Sequence, residues 1–186
     1  MHMNIFILTF FCFSDESIER LKLWQIENSG HSCAVLEDEL RSIQTFAALK
    51  PSYKVLIYLA ANFSGSNLAS LNADIVSHKP VLVQLSKSPI QQRQLIAAVE
   101  WLCGVRSPAI LKFFPAMLKT FFDEEMVEED VFLEWYQDTC RNSYSIPVVT
   151  DETLDNLKAT ARPFYDWLQE AEEEGEEDDE DDEDEA

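Results

Sequence analysis

Apolar residues recur along most of this chain at the three- and four-residue spacing of an amphipathic α-helix. In residues 91–104 they form one stripe that ends at Gly104, a residue type that suits a helix C-terminus. A second stripe follows Ser107 and Pro108, which are typical of a helix start. Pro115 lies inside this stripe and predicts either a bend or a new helix one turn later.

Further helices are predicted on both sides of these stripes. One covers Val127–Cys140, and the last begins near Thr150 and Asp151 and contains Pro163, where we expect a kink. The N-terminal half is less regular, and its patterns favour three more helices, at residues 18–26, 35–49 and 53–63.

The strand signal in this chain is weak. Its best candidates, Lys54–Leu59 and Val81–Leu85, are short and lie among helix-compatible residues. A succession of helices of about 10–18 residues with short loops favours helix pairs stacked into a curved array over a four-helix bundle. The sequence therefore predicts an all-α fold, although no repeat of fixed period is visible.

The charge of the chain is strongly negative, and it is local. Residues 170–185 carry 14 of the 35 acidic residues, residues 123–138 carry another 8, and neither stretch contains Lys or Arg. The remaining residues are nearly neutral, although the formal net charge is −21. We therefore expect a disordered acidic tail at residues 171–186 and anionic surfaces, for which a basic protein segment is a better partner than nucleic acid.

No pattern typical of catalysis is present. The glycines are isolated, so no phosphate-binding loop can be built from them, and no nucleophile elbow occurs. The cysteines have no C-x-x-C spacing, which favours free thiols and, for Cys103, a core position. We expect a binding protein without catalytic residues, metal site or cofactor.

The N-terminal segment is apolar from Met3 to Phe13, which is shorter than the roughly 20 residues that span a bilayer. We interpret residues 1–13 as an extension that packs on the domain or as an artefact of start-site choice. In the predicted domain division, residues 1–30 form an N-terminal extension outside the helical domain. A signal peptide is a weaker alternative, because no basic leader precedes the apolar run. A cytoplasmic location without membrane contact is expected.

The first of two acidic–aromatic segments is Asp123–Asp138. Its acids are predicted to share a helix face near the helix start, because Glu124 and Glu128 are four residues apart, as are Glu125 and Glu129. Acids at a helix start gain about 0.3–1 kcal/mol from the helix dipole. That gain explains two or three acids, but not 8 without a base.

The aromatic residues of the two segments have different predicted environments. Trp135 and Tyr136 are adjacent on a helix, so only one of them can be central to the core. In the second segment, Arg162–Glu174, Phe164 continues the core stripe and Trp167 lies one position away from it. Trp167 is therefore predicted at the rim beside acids, although it could simply cover the end of the core.

Acids and rings together suit a lysine-rich partner that also carries apolar residues. Exposed ion pairs contribute about 0–1 kcal/mol each and fade with salt. An aromatic anchor buried in an interface adds about 2 kcal/mol or more and can hold a Lys charge or stem. We expect the acids to speed encounter and the rings to prolong binding.

The stretches QQRQLIAAVEWLCG, SPAILKFFPAMLKTFFDEEMVEEDVFLEWYQD and KATARPFYDWLQEAEEE resemble the C-terminal W2 domain of eukaryotic translation initiation factor 5. The resemblance covers about Gln91–Glu174, and Val35–Glu174 if the first half belongs to the same domain. It implies a HEAT/ARM-like superhelical stack of antiparallel helix pairs over residues 31–170. It also implies a scaffold that binds the lysine-rich beta subunit of initiation factor 2, contacts initiation factors 1, 3 and 4G, and opposes GDP release.

The resemblance assigns partner binding to residues of both segments. They are Glu124, Glu125, Glu128, Glu129, Trp135, Tyr136, Phe164, Trp167, Glu170, Glu172, Glu173 and Glu174. The family's GTPase-activating domain carries a catalytic arginine and a zinc ribbon, for which this chain lacks the length and the paired cysteines. Two alternatives stay open: the nucleotide-exchange domain of the factor 2B epsilon subunit, and a mimic protein that competes with factor 5.

A second, basic surface is also predicted. Lys112 and Lys119 are seven residues apart and would share a helix face, within a stretch rich in Lys and Arg. The resemblance implies a basic patch for an acidic partner such as factor 1 or 3. The alternative is an ordinary solvated face.

Overall fold

The computed structural model of the chain describes the backbone of residues 5–138, 144 and 146–180, and the side chains of residues 15–138, 144 and 146–170. Within these residues it contains helices and turns and no strand. The α-helices are α1 (Ile5–Glu27), α2 (Cys33–Phe46), α3 (Tyr53–Asn62), α4 (Leu68–Leu85), α5 (Pro89–Trp101), α6 (Phe114–Asp123), α7 (Glu129–Gln137) and α8 (Asp151–Glu180). A π-helical turn, Leu102–Arg106, and a 3-10 helix, Pro108–Phe113, connect α5 to α6.

The helices pack in two rows. The odd-numbered helices contact one another in the order α1, α3, α5, α7, and the even-numbered helices do so in the order α2, α4, α6, α8. Contacts between consecutive helices, such as α1 with α2 and α7 with α8, join the rows. This is the arrangement of stacked helix pairs, and the predicted all-α architecture is confirmed.

One hydrophobic core runs along the stack between the rows. Its largest completely enclosed side chains include Trp101, Tyr58 and Phe114. Ile18 and Leu21 of α1 belong to the same buried cluster. These contacts favour a domain that begins before the proposed boundary at residue 31.

The connection between α5 and α6 differs from the predicted helix end. Gly104 does not cap α5, because it lies inside the π-helical turn. A Cβ atom at Gly104 would lie only 2.4 Å from Cγ2 of Thr153 on α8, so glycine permits this close packing. Cys103 beside it is buried as predicted. Ser107 makes no side-chain cap. Of the two alternatives predicted for Pro115, a new helix is the one observed, since Pro115 lies in the first turn of α6.

Both strand candidates lie in helices. Lys54–Leu59 is part of α3, and Val81–Leu85 ends α4. Helix α4 was not predicted, and Pro80 lies inside it. The start of α4 is nevertheless encoded locally by a capping box. The Asn67 side chain accepts a hydrogen bond from the backbone N–H of Ser70, and the Ser70 hydroxyl oxygen accepts one from the backbone N–H of Asn67.

The last helix begins where the sequence predicts. Helix α8 starts at Asp151, and Oγ1 of Thr150 accepts a hydrogen bond from the backbone N–H of Thr153 at 3.2 Å. Pro163 lies inside α8, and the kink expected there stays a prediction. The backbone of α8 is helical to Glu180, while residues 181–186 of the predicted tail lie outside the described residues. None of the helices within the described part of the chain combines the length and the apolar character that a membrane span requires.

Candidate partner-binding surface

The first acidic–aromatic segment starts at the end of α6, where the chain turns sharply. The backbone N–H of Glu125 donates to the carbonyl of Phe122 at 2.8 Å, and that of Met126 donates to the carbonyl of Phe121 at 2.9 Å. This pair of bonds is a Schellman motif, which places its C′ residue in the left-handed region. That residue is Glu125, with φ of 55°, where glycine is usual. An acid is therefore held in a conformation that costs about 1–2 kcal/mol.

This turn creates an open depression of about 390 Å³ between α6 and α7, which we call the acidic groove. Apolar side chains contribute to its lining, and carboxylates surround them. The lining residues are Phe122, Asp123, Glu125, Val127, Glu128 and Glu129. A lysine side chain, with its apolar stem and charged tip, matches such a lining.

The acids of the groove are not arranged on a helix face as predicted. Glu124, Glu125 and Glu128 precede α7, which begins at Glu129. The four-residue spacing therefore does not apply, because the Schellman turn interrupts the helix. Glu124 forms an ion pair with Lys79 of α4, whose Nζ lies 3.0 Å from Oε2 of Glu124. Glu125 and Glu128 are exposed.

Helix α5 fixes the start of α7. The Nε2 atom of Gln92 donates to a carboxylate oxygen of Glu128 at 3.0 Å, and the backbone N–H of Glu128 donates to Oε1 of Gln92 at 2.9 Å. Gln92 is buried, so this reciprocal pair anchors one wall of the groove to the stack.

Trp167 of α8 contacts Phe122, one of the residues that line the groove. It is 38% exposed. Its ring meets Phe122 edge-on at a centroid distance of 5.5 Å and stacks against Phe164 at 6.1 Å. Phe164 itself is buried. The second segment thus contacts Phe122, the residue that directly precedes the first segment. The predicted rim position of Trp167 agrees with its exposure.

Trp135 has the opposite environment. It is 1% exposed, packs edge-on against Phe114 at 5.8 Å, and donates its indole N–H to Glu100 at 2.6 Å. Its predicted role as a direct partner contact does not fit this burial, because a ligand cannot reach the ring without opening the core. Burial raises the pKa of the Glu100 carboxyl above its usual value, and the nearby Arg93 opposes that rise.

Tyr136 is half-buried and stacks on Tyr165 of α8, with ring centroids 4.0 Å apart and planes 15° apart. Since Trp135 is enclosed and Tyr136 lies at the edge, the predicted division between these neighbours agrees with the structure. Lys158 of α8 adds a second connection, because its ammonium donates to the carbonyls of Tyr136 and Asp138 at the end of α7.

The remaining predicted residues lie further along α8. Glu170 is exposed. Glu172, Glu173 and Glu174 follow it on the helical backbone, but their side chains lie outside the described residues.

The two lysines of the predicted basic surface do not share an α-helix. Lys112 is in the 3-10 helix and Lys119 is in α6, so the seven-residue spacing does not place them on one face. The Lys119 ammonium instead lies 2.7 Å from a carboxylate oxygen of Asp123 and 4.3 Å from the centroid of Trp167. Lys119 thus belongs to the acidic–aromatic surface.

Sequence reasoning missed two members of this surface. Asp123 is one of the acids of the first segment but is not among the predicted site residues, and Phe122 lies at the end of the apolar stripe that follows Pro108. The signal for Asp123 was available, because it follows Lys119 by four residues on one helix. The contact of Phe122 with α8 depends on tertiary packing.

These features define a class of protein: a helical-repeat domain with an acidic–aromatic face formed by α6, α7 and α8. Residues 91–185 match the family model W2, described as eIF4-gamma/eIF5/eIF2-epsilon, and the chain belongs to this family. The predicted resemblance to the W2 domain of factor 5 is thereby confirmed.

Relatives of known sequence agree with this assignment. The chain is 28% identical over 139 residues to eukaryotic translation initiation factor 5 of Zea mays. The aligned residues make up 74% of this chain and 29% of the maize protein. It is 31% identical over 82 residues to the factor 5 of Mus musculus, which covers 44% of this chain and 18% of the mouse protein. The chain spans less than a third of the length of these curated relatives.

A solved structure has the same fold. The C-terminal domain of translation initiation factor 5 at low pH superposes with a TM-score of 0.61, at 21% identity, over 88% of this chain and 96% of that domain. This likeness concerns the fold.

Proposed function

We propose that this chain is a cytoplasmic scaffold of translation initiation that binds the lysine-rich segment of the beta subunit of initiation factor 2. In this role it helps to assemble the preinitiation complex and opposes release of GDP from factor 2. Membership of the W2 family supports a role in translation initiation. Initiation factors 1, 3 and 4G are further proposed partners.

A single observation carries the proposal: the exposed ring of Trp167 packs on Phe122, a residue that lines the acidic groove. The rim carboxylates attract a cationic segment from a distance, and this attraction weakens with salt. The Trp167 ring offers a face to a lysine and an apolar edge to its stem. Acids alone would hold such a segment loosely, because exposed ion pairs contribute about 0–1 kcal/mol each.

The proposal predicts which rate constant each group controls. Trp167→Ala should mainly raise the dissociation rate of a lysine-rich peptide, by about tenfold or more, because an interface anchor is lost. The combined change of Glu172, Glu173 and Glu174 to Gln should mainly lower the association rate and flatten its salt dependence. Surface plasmon resonance at two salt concentrations measures both rates.

Matched variants control this experiment. Phe46→Ala removes an exposed aromatic ring from α2, which lies outside the proposed surface, and should leave both rates unchanged. Changing Glu19, Glu27 and Asp38 to Gln alters the net charge equally but in the N-terminal half, and should have a smaller effect on association. Equal effects of the ring and the acids on both rates would contradict the proposed division.

Release of GDP distinguishes this role from the exchange role of the factor 2B epsilon subunit. Stopped-flow release of labelled GDP from factor 2 should slow when the chain is added. Faster release with this chain alone would overturn the scaffold proposal and favour exchange. A mimic of factor 5 would also slow release, so this assay separates the exchange role from the other two and leaves the scaffold and the mimic together.

The second basic surface has less support than the acidic–aromatic one. Lys119 is engaged by Asp123 and Trp167, Lys79 pairs with Glu124, and Arg93 lies close to Glu100. Binding of factor 1 or 3 through the exposed Lys112 stays a proposal. Loss of that binding in Lys112→Glu would support it, and unchanged binding would contradict it.

A further inference from the structure

A lysine of the chain itself lies on Trp167. The ammonium of Lys119 lies 4.3 Å from the ring centroid, within the range of a cation–π contact. The same ammonium is 2.7 Å from a carboxylate oxygen of Asp123, one turn further along α6. Ring face and carboxylate together form a small site for a lysine ammonium, and Lys119 occupies it.

This contact is open to solvent and easily exchanged. The side chains of Lys119 and Asp123 are 48% and 50% exposed. An exposed pair of this kind is weak, because water solvates both charges when it separates. A second ammonium can therefore take the place of the first at little cost.

The same ring is the anchor of the proposed binding surface. The edge of Trp167 contacts Phe122, and Phe122 and Asp123 also line the acidic groove. A partner segment that enters the groove and reaches Trp167 meets a positive charge already in position. Its own lysine must either displace Lys119 or be repelled by it.

We propose that Lys119 is an internal competitor that occupies the lysine subsite of Trp167 and Asp123 and is displaced when a lysine-rich partner binds. The proposal rests on the proposed function. Binding then depends on the number of lysines in the partner. A partner with a single lysine gains little affinity by displacing Lys119, whereas a partner with several lysines contacts the groove and the subsite together, and this requirement is the threshold of the surface. Loss of the Lys119 charge removes the threshold.

The test compares Lys119→Met with Lys112→Met. Both variants remove one positive charge and keep a long apolar side chain, and the Lys112 ammonium also lies over a ring, Phe113, at 4.9 Å. Isothermal titration with a synthetic peptide of alternating lysines and apolar residues measures affinity. Lys119→Met should tighten binding about five- to tenfold, and Lys112→Met less than about twofold.

A double-mutant comparison isolates the ring. If Lys119 acts by occupying Trp167, the gain from Lys119→Met should disappear in a Trp167→Leu background. A gain that persists there would show a general charge effect and would overturn the proposal. Equal gains in Lys119→Met and Lys112→Met would overturn it as well.

A second measurement does not depend on affinity. With lysines labelled as ¹³C-dimethyl derivatives, the Lys119 methyl signal should be shifted by the ring current of Trp167 and should lose that shift in Trp167→Leu. Saturating peptide should also remove the shift. A signal that peptide binding leaves unchanged would overturn displacement, whereas failure of the wild type and both variants to bind peptide would overturn the proposed function itself and the competitor role with it.

Discussion

Trp135 and Trp167 belong to two segments that both combine acidic and aromatic residues, yet one ring is 1% and the other 38% exposed. The difference follows from their neighbours. Trp135 faces α5, where Glu100 accepts its N–H, and Trp167 faces the end of α6, where Lys119 lies over its ring. Acids near an aromatic residue therefore do not define its environment. Trp135 is enclosed beside a buried acceptor, whereas Trp167 is open to solvent beside an exposed cation.

The largest expected effect tests this difference through stability. Trp135→Ala should lower the free energy of unfolding by about 3–5 kcal/mol, because it leaves a cavity and removes the donor to Glu100. Trp167→Ala should cost about 1–2 kcal/mol, because much of the ring is already solvated. Urea unfolding followed by circular dichroism measures both, and similar losses would contradict the comparison.

An intermediate effect concerns the pH dependence of the Trp135 environment. The fold raises the pKa of Glu100, chiefly by burial, so it favours the protonated carboxyl. The stability associated with this group is present below the unfolded pKa and is lost as pH rises through the folded pKa. Glu100→Gln, which cannot ionise but still accepts the indole N–H, should therefore gain stability relative to wild type as pH rises.

Denaturant unfolding of both proteins from pH 4 to pH 8 checks this expectation. The two should be closest in stability at the acidic end of the series. A Gln variant that loses stability relative to wild type as pH rises would show that the Arg93 charge outweighs burial. Trp167→Leu offers a control for the open site, because its stability relative to wild type should not follow the titration of Glu100.

The smallest effect concerns the strained acid beside the open site. Glu125→Gly should raise the free energy of unfolding by about 0.5–1 kcal/mol, because glycine adopts positive φ without a Cβ clash. Ala48→Gly is a matched control, since Ala48 has φ of 52° after α2 and lies outside the proposed surface. Both changes should stabilise the fold, and only Glu125→Gly should weaken binding of a lysine-rich peptide.

Thermal unfolding and peptide titration of this pair decide whether the groove holds an acid at the expense of stability. Equal binding by the two glycine variants would remove Glu125 from the surface. Destabilisation by Glu125→Gly would show that its carboxylate makes a contribution larger than the strain.

The sequence predicted the helices whose apolar stripe faces one core. Helix α7 and the start of α8 have such stripes, and Thr150 also caps α8, so the predicted positions were close to the observed ones. Helix α3 is different, because consecutive residues from Val55 to Leu59 are all buried. A helix enclosed on several sides loses its periodicity, and this explains why part of α3 resembled a strand. Helix α4 escaped prediction for another reason, because it contains Pro80 and proline is unfavourable inside a helix.

The composition of the site could be predicted, but its geometry could not. The exposed position of Trp167 follows from its offset from the core stripe, a local property. The burial of Trp135 depends on Glu100, 35 residues earlier, and the turn at Glu125 has no glycine to indicate it. The seven-residue argument for Lys112 and Lys119 failed because it assumed one α-helix, whereas the proline-led segment before α6 forms a 3-10 helix.

The stack of Tyr136 on Tyr165 and the hydrogen bonds that Lys158 donates to the carbonyls of Tyr136 and Asp138 connect α7 to α8. In the proposed role, two helices connected in this way would lose little conformational entropy when a ligand docks across both of them. The entropic cost then falls almost wholly on the incoming chain. A lysine-rich segment stiffened by proline in its bound shape should therefore dock more tightly than one of equal charge spaced by glycine.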